Sequence, residues 1–223
     1  DVYKRQEIRS KMMFHPISLE TWPRAETYRH FMEEVPCTYS ICVNLDISRF
    51  LPAVRERGLR FFPAFLYGLS LTVNEHREFR MRLDEEGRLG YFDTVNPCYT
   101  VFHPEQECFS DVWTEFEPDF SAFYRRYLAD MEKYGGKTAS KSMGEGNTFD
   151  VSCIPWTSFT GFNLNLPKGY GYFAPIFTVG KYFEEAGKTK LPLATQVHHA
   201  VCDGFHVSRL LNELQEWLDY FQS

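Results

Sequence analysis

Strand-like and helix-like segments follow one another along this chain without regular β-α-β alternation, and that order limits what it can fold into. A doubly wound parallel sheet needs a crossover helix between successive parallel strands. Here apolar alternation predicts strands at residues 37–46, 98–103, 108–113, 149–154, 173–182 and 191–199. Helical spacing predicts helices at 23–34, 48–57, 62–75, 118–134 and 207–221. Ser18 or Thr21 is the expected cap of the first helix, and Pro36 stops it. Two strand-like runs flank Asp84-Glu-Glu-Gly87, which is a hairpin signal, and the first covers residues 78–83. Phe120, Phe123, Tyr124, Tyr127, Leu128 and Met131 share one side of the fourth helix. This order points to an α+β fold, a two-layer α/β sandwich with a large mixed β-sheet. A single domain over residues 1–223 is expected, with 1–10 a disordered or non-native start.

Composition narrows the function classes. The chain has 223 residues, 43% hydrophobic and 17% aromatic, including 21 Phe and 13 Tyr. A disordered chain lacks that apolar content, so one aromatic-rich core is expected. The formal net charge is -6, and no dense Lys/Arg cluster suggests a nucleic-acid footprint. No apolar run reaches membrane-spanning length, and the polar start lacks a signal-peptide core. Cysteines 37, 42, 98, 108, 153 and 202 are irregularly spaced and form no C-x-x-C pair. They read as reduced thiols of a cytoplasmic protein. The Gly-rich stretch 135–146 lacks P-loop spacing and reads as a surface loop.

The densest group of reactive side chains is His198-His199-Ala-Val-Cys-Asp203-Gly204-Phe-His206. It supports three readings: a polar turn with satisfied histidines, a metal site using His198 or His199 with Cys202 and His206, or a general base braced by a carboxylate. The metal reading is the weaker in geometry, because the run crosses a strand-to-helix junction where helical i, i+4 spacing does not hold. No metal is expected. The base reading draws on imidazole, whose ordinary pKa of about 6.5 suits proton removal at neutral pH. Successive strand residues face opposite ways, so only one of His198 and His199 is expected to face a given cleft.

The run, with the preceding Leu191-Pro-Leu-Ala-Thr-Gln-Val197, closely resembles the active-site signature of the type A chloramphenicol acetyltransferase family. Further segments resemble that family in order: Trp22-Pro-Arg24, Pro36-Cys37, Tyr99-Thr-Val-Phe-His103, Phe109-Ser110, Ser152, Pro155-Trp156, Phe162-Asn-Leu-Asn165, Tyr172-Phe-Ala-Pro-Ile176, Thr178 and Lys181-Tyr182. The resemblance runs from Leu19 to the C-terminus. It implies a CoA-dependent acyltransferase fold and transfer of acetyl from acetyl-CoA, a co-substrate rather than a bound cofactor, to a hydroxyl of chloramphenicol.

By the same resemblance His199 is the general base and Ser152 the oxyanion donor. Asp203 pairs with Arg24 to hold the loop, and Thr178 positions the acceptor through water. Trp156 and Tyr182 lie along the coenzyme A channel. Acceptor contacts fall to His30, Phe31, Val35, Cys37, Phe109, Phe162 and Leu164. Cys202 is not a nucleophile, and His206 is structural. The family is a homotrimer with active sites between subunits. Its pattern is broken at three points: His30 stands where an aromatic is expected, Asp111 where a small residue is, and Ala139 where a large aromatic is. The rival readings are the same chemistry on another small hydroxylated acceptor, a non-catalytic binding protein of the same fold, and a dihydrolipoyl acyltransferase domain. The last ranks low, because no lipoyl-like segment is expected ahead of the domain.

Overall fold

The computed structural model of the chain describes residues 13–142, 146–166 and 171–221. The expected loose start at 1–10, and 143–145 of the Gly-rich stretch, lie outside the described residues. The strands are β1 (Phe14–Pro16), β2 (Thr38–Asp46), β3 (Met81–Leu83), β4 (Leu89–Phe92), β5 (Asn96–His103), β6 (Cys108–Trp113), β7 (Thr148–Ile154), β8 (Ile176–Gly180), β9 (Phe183–Glu185) and β10 (Lys188–His198). The helices are α1 (Ala25–Arg29), α2 (Phe50–Glu56), α3 (Phe61–Glu75), α4 (Phe120–Tyr134) and α5 (Gly204–Asp219).

Seven strands form the main sheet in the order β2-β10-β8-β7-β5-β6, with β9 paired to β10. β7 pairs in parallel with β5 and β8, and the other pairings are antiparallel. This is the mixed sheet that the order of segments predicts. A small sheet, β1-β4-β3, carries the expected hairpin.

α3, α4 and α5 pack against β5, β6 and β2 of the main sheet, respectively. α3 is apolar nearly all round, and its residues 63–70 are all buried. Its polar Ser70 and Thr72 are satisfied locally by the carbonyls of Leu66 and Gly68. α5 presents Val207, Leu210, Leu211, Leu214 and Leu218 at helical spacing to the core. α4 is capped by Asp119, whose carboxylate accepts the Ala122 N–H at 2.7 Å. Among the described residues no helix is long and apolar enough to cross a membrane.

Five local expectations are corrected. Neither Ser18 nor Thr21 caps the first helix; the N-cap is Arg24, with no side-chain cap. The Ser18 carbonyl instead accepts the Trp22 N–H at 3.0 Å, closing a turn before the helix. The second half of that helix, His30–Glu34, winds as a π-helix, with the Val35 N–H donating to the His30 carbonyl at 2.9 Å. Residues 77–80 form a 3₁₀ turn, so the first hairpin strand is shorter than expected. β8 is also short: Pro175, just before it, has no N–H, and its carbonyl accepts the Asp150 N–H. Finally, β10 ends at His198, so His199 lies in the turn beyond the strand.

α3 and α5 meet at Gly68, where a Cβ would sit inside the ring of Trp217. Glycine in a helix interior normally costs about 1 kcal/mol relative to alanine. Here the sign reverses. Gly68→Ala is expected to destabilise the protein by roughly 1–3 kcal/mol through overpacking, read as a lower urea midpoint at unchanged slope. Equal or higher stability would show that the two helices part freely.

Candidate active site

The turn after β10 carries the reactive run, and four restraints hold it. The N–H groups of Val201 and Cys202 both donate to the His198 carbonyl at 3.2 Å. The Ala200 N–H donates to His198 Nδ1 at 3.2 Å, so His198 serves the turn and is itself 2% exposed. The His199 N–H donates to the Cys37 carbonyl at 3.1 Å, which ties the turn to the entry of β2. The Tyr39 hydroxyl donates to the Cys202 carbonyl at 3.0 Å.

The His199 ring is held between aromatics. Phe31 stacks on it with centroids 3.8 Å apart and planes 8° from parallel, and Tyr39 meets it edge-on at 5.0 Å. Arg24 holds both carboxylate oxygens of Asp203, with Nη2 to Oδ1 at 3.1 Å. Burial pushes the Asp203 carboxyl up, but the hydrogen bond and charge of Arg24 outweigh it and leave its pKa below the ordinary value. Asp203 Oδ1 also lies 3.3 Å from His199 Nδ1, at an angle that makes no hydrogen bond. The carboxylate is therefore committed to Arg24, and its negative charge sits beside the imidazole. Cys202 is 1% exposed, and burial raises its thiol far above the ordinary range, so no thiolate forms there at neutral pH.

Ser152 and Thr178 form a second group. They are partners across the parallel β7–β8 ladder, and their hydroxyls are 3.0 Å apart. Thr178 in turn lies opposite Ala194 of β10. His199 is five residues beyond Ala194, so at about 3.3 Å per residue it lies roughly 16 Å along the strand from the Ser152–Thr178 row. One chain does not bring these two groups together.

The remaining expected residues divide between these regions. His30 is exposed, and its Nδ1 lies 2.7 Å from Glu34 Oε2. Val35 is 50% exposed just before β2, and Cys37 is half-buried beside the His199 amide. The Phe162 N–H donates to Cys42 Sγ at 3.3 Å, and Gln196 holds the Leu164 N–H at 2.6 Å and its carbonyl at 2.9 Å. These bonds lay the 162–164 segment on β2 and β10. Phe109, Trp156 and Tyr182 line one cavity of about 410 Å³ with Phe61, Phe62 and Tyr127. Phe109 thus accompanies the two residues expected along the coenzyme channel, away from Phe31. Among the described residues no three His, Cys, Asp or Glu side chains gather as a metal-binding group.

Tyr39 was missed by sequence reasoning. It sits in an alternating strand, where an aromatic reads as core, and only its contact with the turn reveals its part. Its hydroxyl has no neighbouring motif that could have marked it.

Comparison with known proteins gives the family. The sequence profile described as chloramphenicol acetyltransferase matches residues 12–215. A chloramphenicol acetyltransferase of Campylobacter coli is 51% identical over 211 residues, covering 93% of this chain and 100% of that protein. One from Vibrio anguillarum is 49% identical, covering 95% and 97%. A solved chloramphenicol acetyltransferase structure superposes with a TM-score of 0.86 at 24% identity, covering 92% of this chain and 100% of that one, which speaks for the fold. With a profile spanning most of its length and relatives at half identity, this chain belongs to the chloramphenicol acetyltransferase family.

Proposed function

We propose that this protein transfers acetyl from acetyl-CoA to a hydroxyl of chloramphenicol, with His199 as general base. The observation that carries the reading is an imidazole clamped between Phe31 and Tyr39 beside an Asp203 already neutralised by Arg24. Such a ring is oriented, and it keeps a lone pair for an acceptor proton. In the reaction His199 removes the hydroxyl proton as the oxygen attacks the thioester carbonyl. Ser152 donates a hydrogen bond to the oxyanion that forms. Collapse expels the coenzyme A thiolate, which takes the proton back from the imidazolium. No acyl-enzyme is required, in keeping with the buried, protonated Cys202.

The aromatic cavity suits the coenzyme. Trp156 and Tyr182 are 56% and 42% exposed at its lining, offering ring faces for an adenine, and Lys181 beside them offers charge for phosphate. Free thiols at all six cysteines are in keeping with a reducing, cytoplasmic setting.

The working unit in this reading is a homotrimer with its sites between subunits. A base and an oxyanion donor must both lie within hydrogen-bond reach of one reacting carbonyl group. The separation of roughly 16 Å along β10 leaves that to two chains, one giving His199 and the next giving Ser152 and Thr178.

Coenzyme A release from acetyl-CoA and chloramphenicol tests the activity directly. Rapid release is expected. Release only with other alcohols would move the acceptor assignment, and no release with any acceptor would leave a binding protein. His199→Ala is expected to lose several orders of magnitude in turnover while still binding acetyl-CoA, and Ser152→Ala roughly 10²–10³-fold. Near-normal turnover in His199→Ala would sink the base assignment.

Co-assembly of those two inactive variants tests the shared site. In random trimers three quarters are mixed, each with one intact interface of three, so about a quarter of wild-type activity is expected. No recovery in verified mixed oligomers would place both groups of each site in one chain.

A further inference from the structure

Asp203 is the N-cap residue of α5, where a carboxylate ordinarily receives the first free N–H groups of the helix. Arg24 also holds that carboxylate, which still faces the His206 N–H as one half of a capping box. His206 closes the other half. The Asp203 backbone N–H donates to His206 Nδ1 at 2.9 Å, and the His206 N–H donates to the Asp203 carbonyl at 2.9 Å. A backbone amide only donates, so Nδ1 is unprotonated and the ring proton is on Nε2. Nε2 faces Glu78 Oε1 at 3.8 Å, and the other Glu78 oxygen accepts from Arg209 at 3.3 Å. The ring and Glu78 are largely buried, with side chains 12% and 16% exposed. The proposed reaction uses none of Glu78, His206 and Arg209.

We propose that His206, oriented by Glu78 and Arg209, is a positioning residue for the base: by gripping the Asp203 backbone it holds the turn that carries His199. This rests on the acetyl-transfer reading of His199. The grip is local and strict. Asp203 Oδ1 lies against His199 Nδ1, and only three residues separate His199 from Asp203, so a slip of the Asp203 backbone moves the ring and its charge partner together.

The grip also makes the turn pH-sensitive. A second proton, on Nδ1, would set an N–H against the Asp203 N–H. Burial opposes that proton most, Arg24, Arg209 and the N-terminal end of α5 oppose it too, and Glu78 and Asp203 favour it. The balance holds the His206 pKa below the ordinary histidine value. A base so shifted contributes stability that is fully present above the ordinary value and is lost as pH falls through the lower one. The turn is therefore closed at neutral pH and loosens on acidification.

The test uses the full chain and three variants. His206→Leu removes the acceptor. His206→Asn keeps an oxygen acceptor near the Nδ1 position without a titrating ring. Glu78→Gln removes the charge that favours the ring's second proton. His206→Leu is expected to lower kcat by about tenfold or more at neutral pH with KM for acetyl-CoA within about twofold. His206→Asn should recover kcat to within a few-fold and lose one ionisation from the acid side of its pH profile. Glu78→Gln should move that ionisation to lower pH. Wild-type kcat in a folded His206→Leu, or equal losses in the Leu and Asn variants, would overturn the proposal. If the wild type itself turns nothing over, the acetyl-transfer reading falls first. Nitrogen NMR of the His206 ring then decides the grip separately, and a proton on Nδ1 near neutral pH overturns it.

Discussion

Everything at the candidate site hangs on the pairing of Arg24 with Asp203, two residues 179 positions apart in the chain. Arg24 stands at the start of α1, and Asp203 at the start of α5. Joining them sets the first helix against the turn after β10. That placement puts Phe31, further along the first helix, flat on the His199 ring. The first helix has no side-chain cap because an arginine, which carries no acceptor, stands at its N-cap. The last helix shares its N-cap carboxylate with Arg24, and His206 completes its first turn. The one ion pair thus orients the turn that carries the imidazole.

The sheet supplies the second constraint. Register fixes which side chains share a row, and a row cannot slide without turning every side chain to the other face. Ser152, Thr178, Ala194 and Cys42 form one such row across four strands. Parallel pairing of β7 and β8 places two hydroxyls side by side in the middle of a sheet, where their positions are set by the backbone rather than by loops. The imidazole lies beyond the end of the longest strand instead. The Ser152–Thr178 pair and the imidazole are thereby held roughly 16 Å apart along β10 within one chain.

Much of this was legible in the sequence, for identifiable reasons. Strand and helix positions follow from periodicity, which is a short-range property. The apolar spacing in α3 and α5 reads true because burial dictates it. The end of β10 did not read true, because nothing in Gln196-Val-His-His199 marks where pairing with β2 stops. The cap of the first helix is not legible because Ser18 closes a turn ahead of it and the N-cap position falls to Arg24, which has no acceptor. Residues 78–80 read as strand because a 3₁₀ turn has no period of its own over so short a run. The resemblance named Arg24, Phe31, Ser152, Thr178, His199 and Asp203. Only the structure shows that β2 contributes Tyr39 to the turn, and that Phe109 accompanies Trp156 and Tyr182.

The polar residues that break the family pattern have a physical resolution. An aspartate facing an uncharged acceptor costs affinity only when its hydrogen bonds are left for the ligand to satisfy. Asp111 is engaged within the chain: its carboxylate accepts the Ser140 hydroxyl at 3.3 Å, and its backbone carbonyl accepts the Lys141 N–H at 2.8 Å. His30 is tied to Glu34. Asp150, one strand pleat before Ser152, accepts the Tyr172 hydroxyl at 2.5 Å; burial still leaves its carboxyl above the ordinary pKa. Asp111, His30 and Asp150 thus each have a partner within the fold.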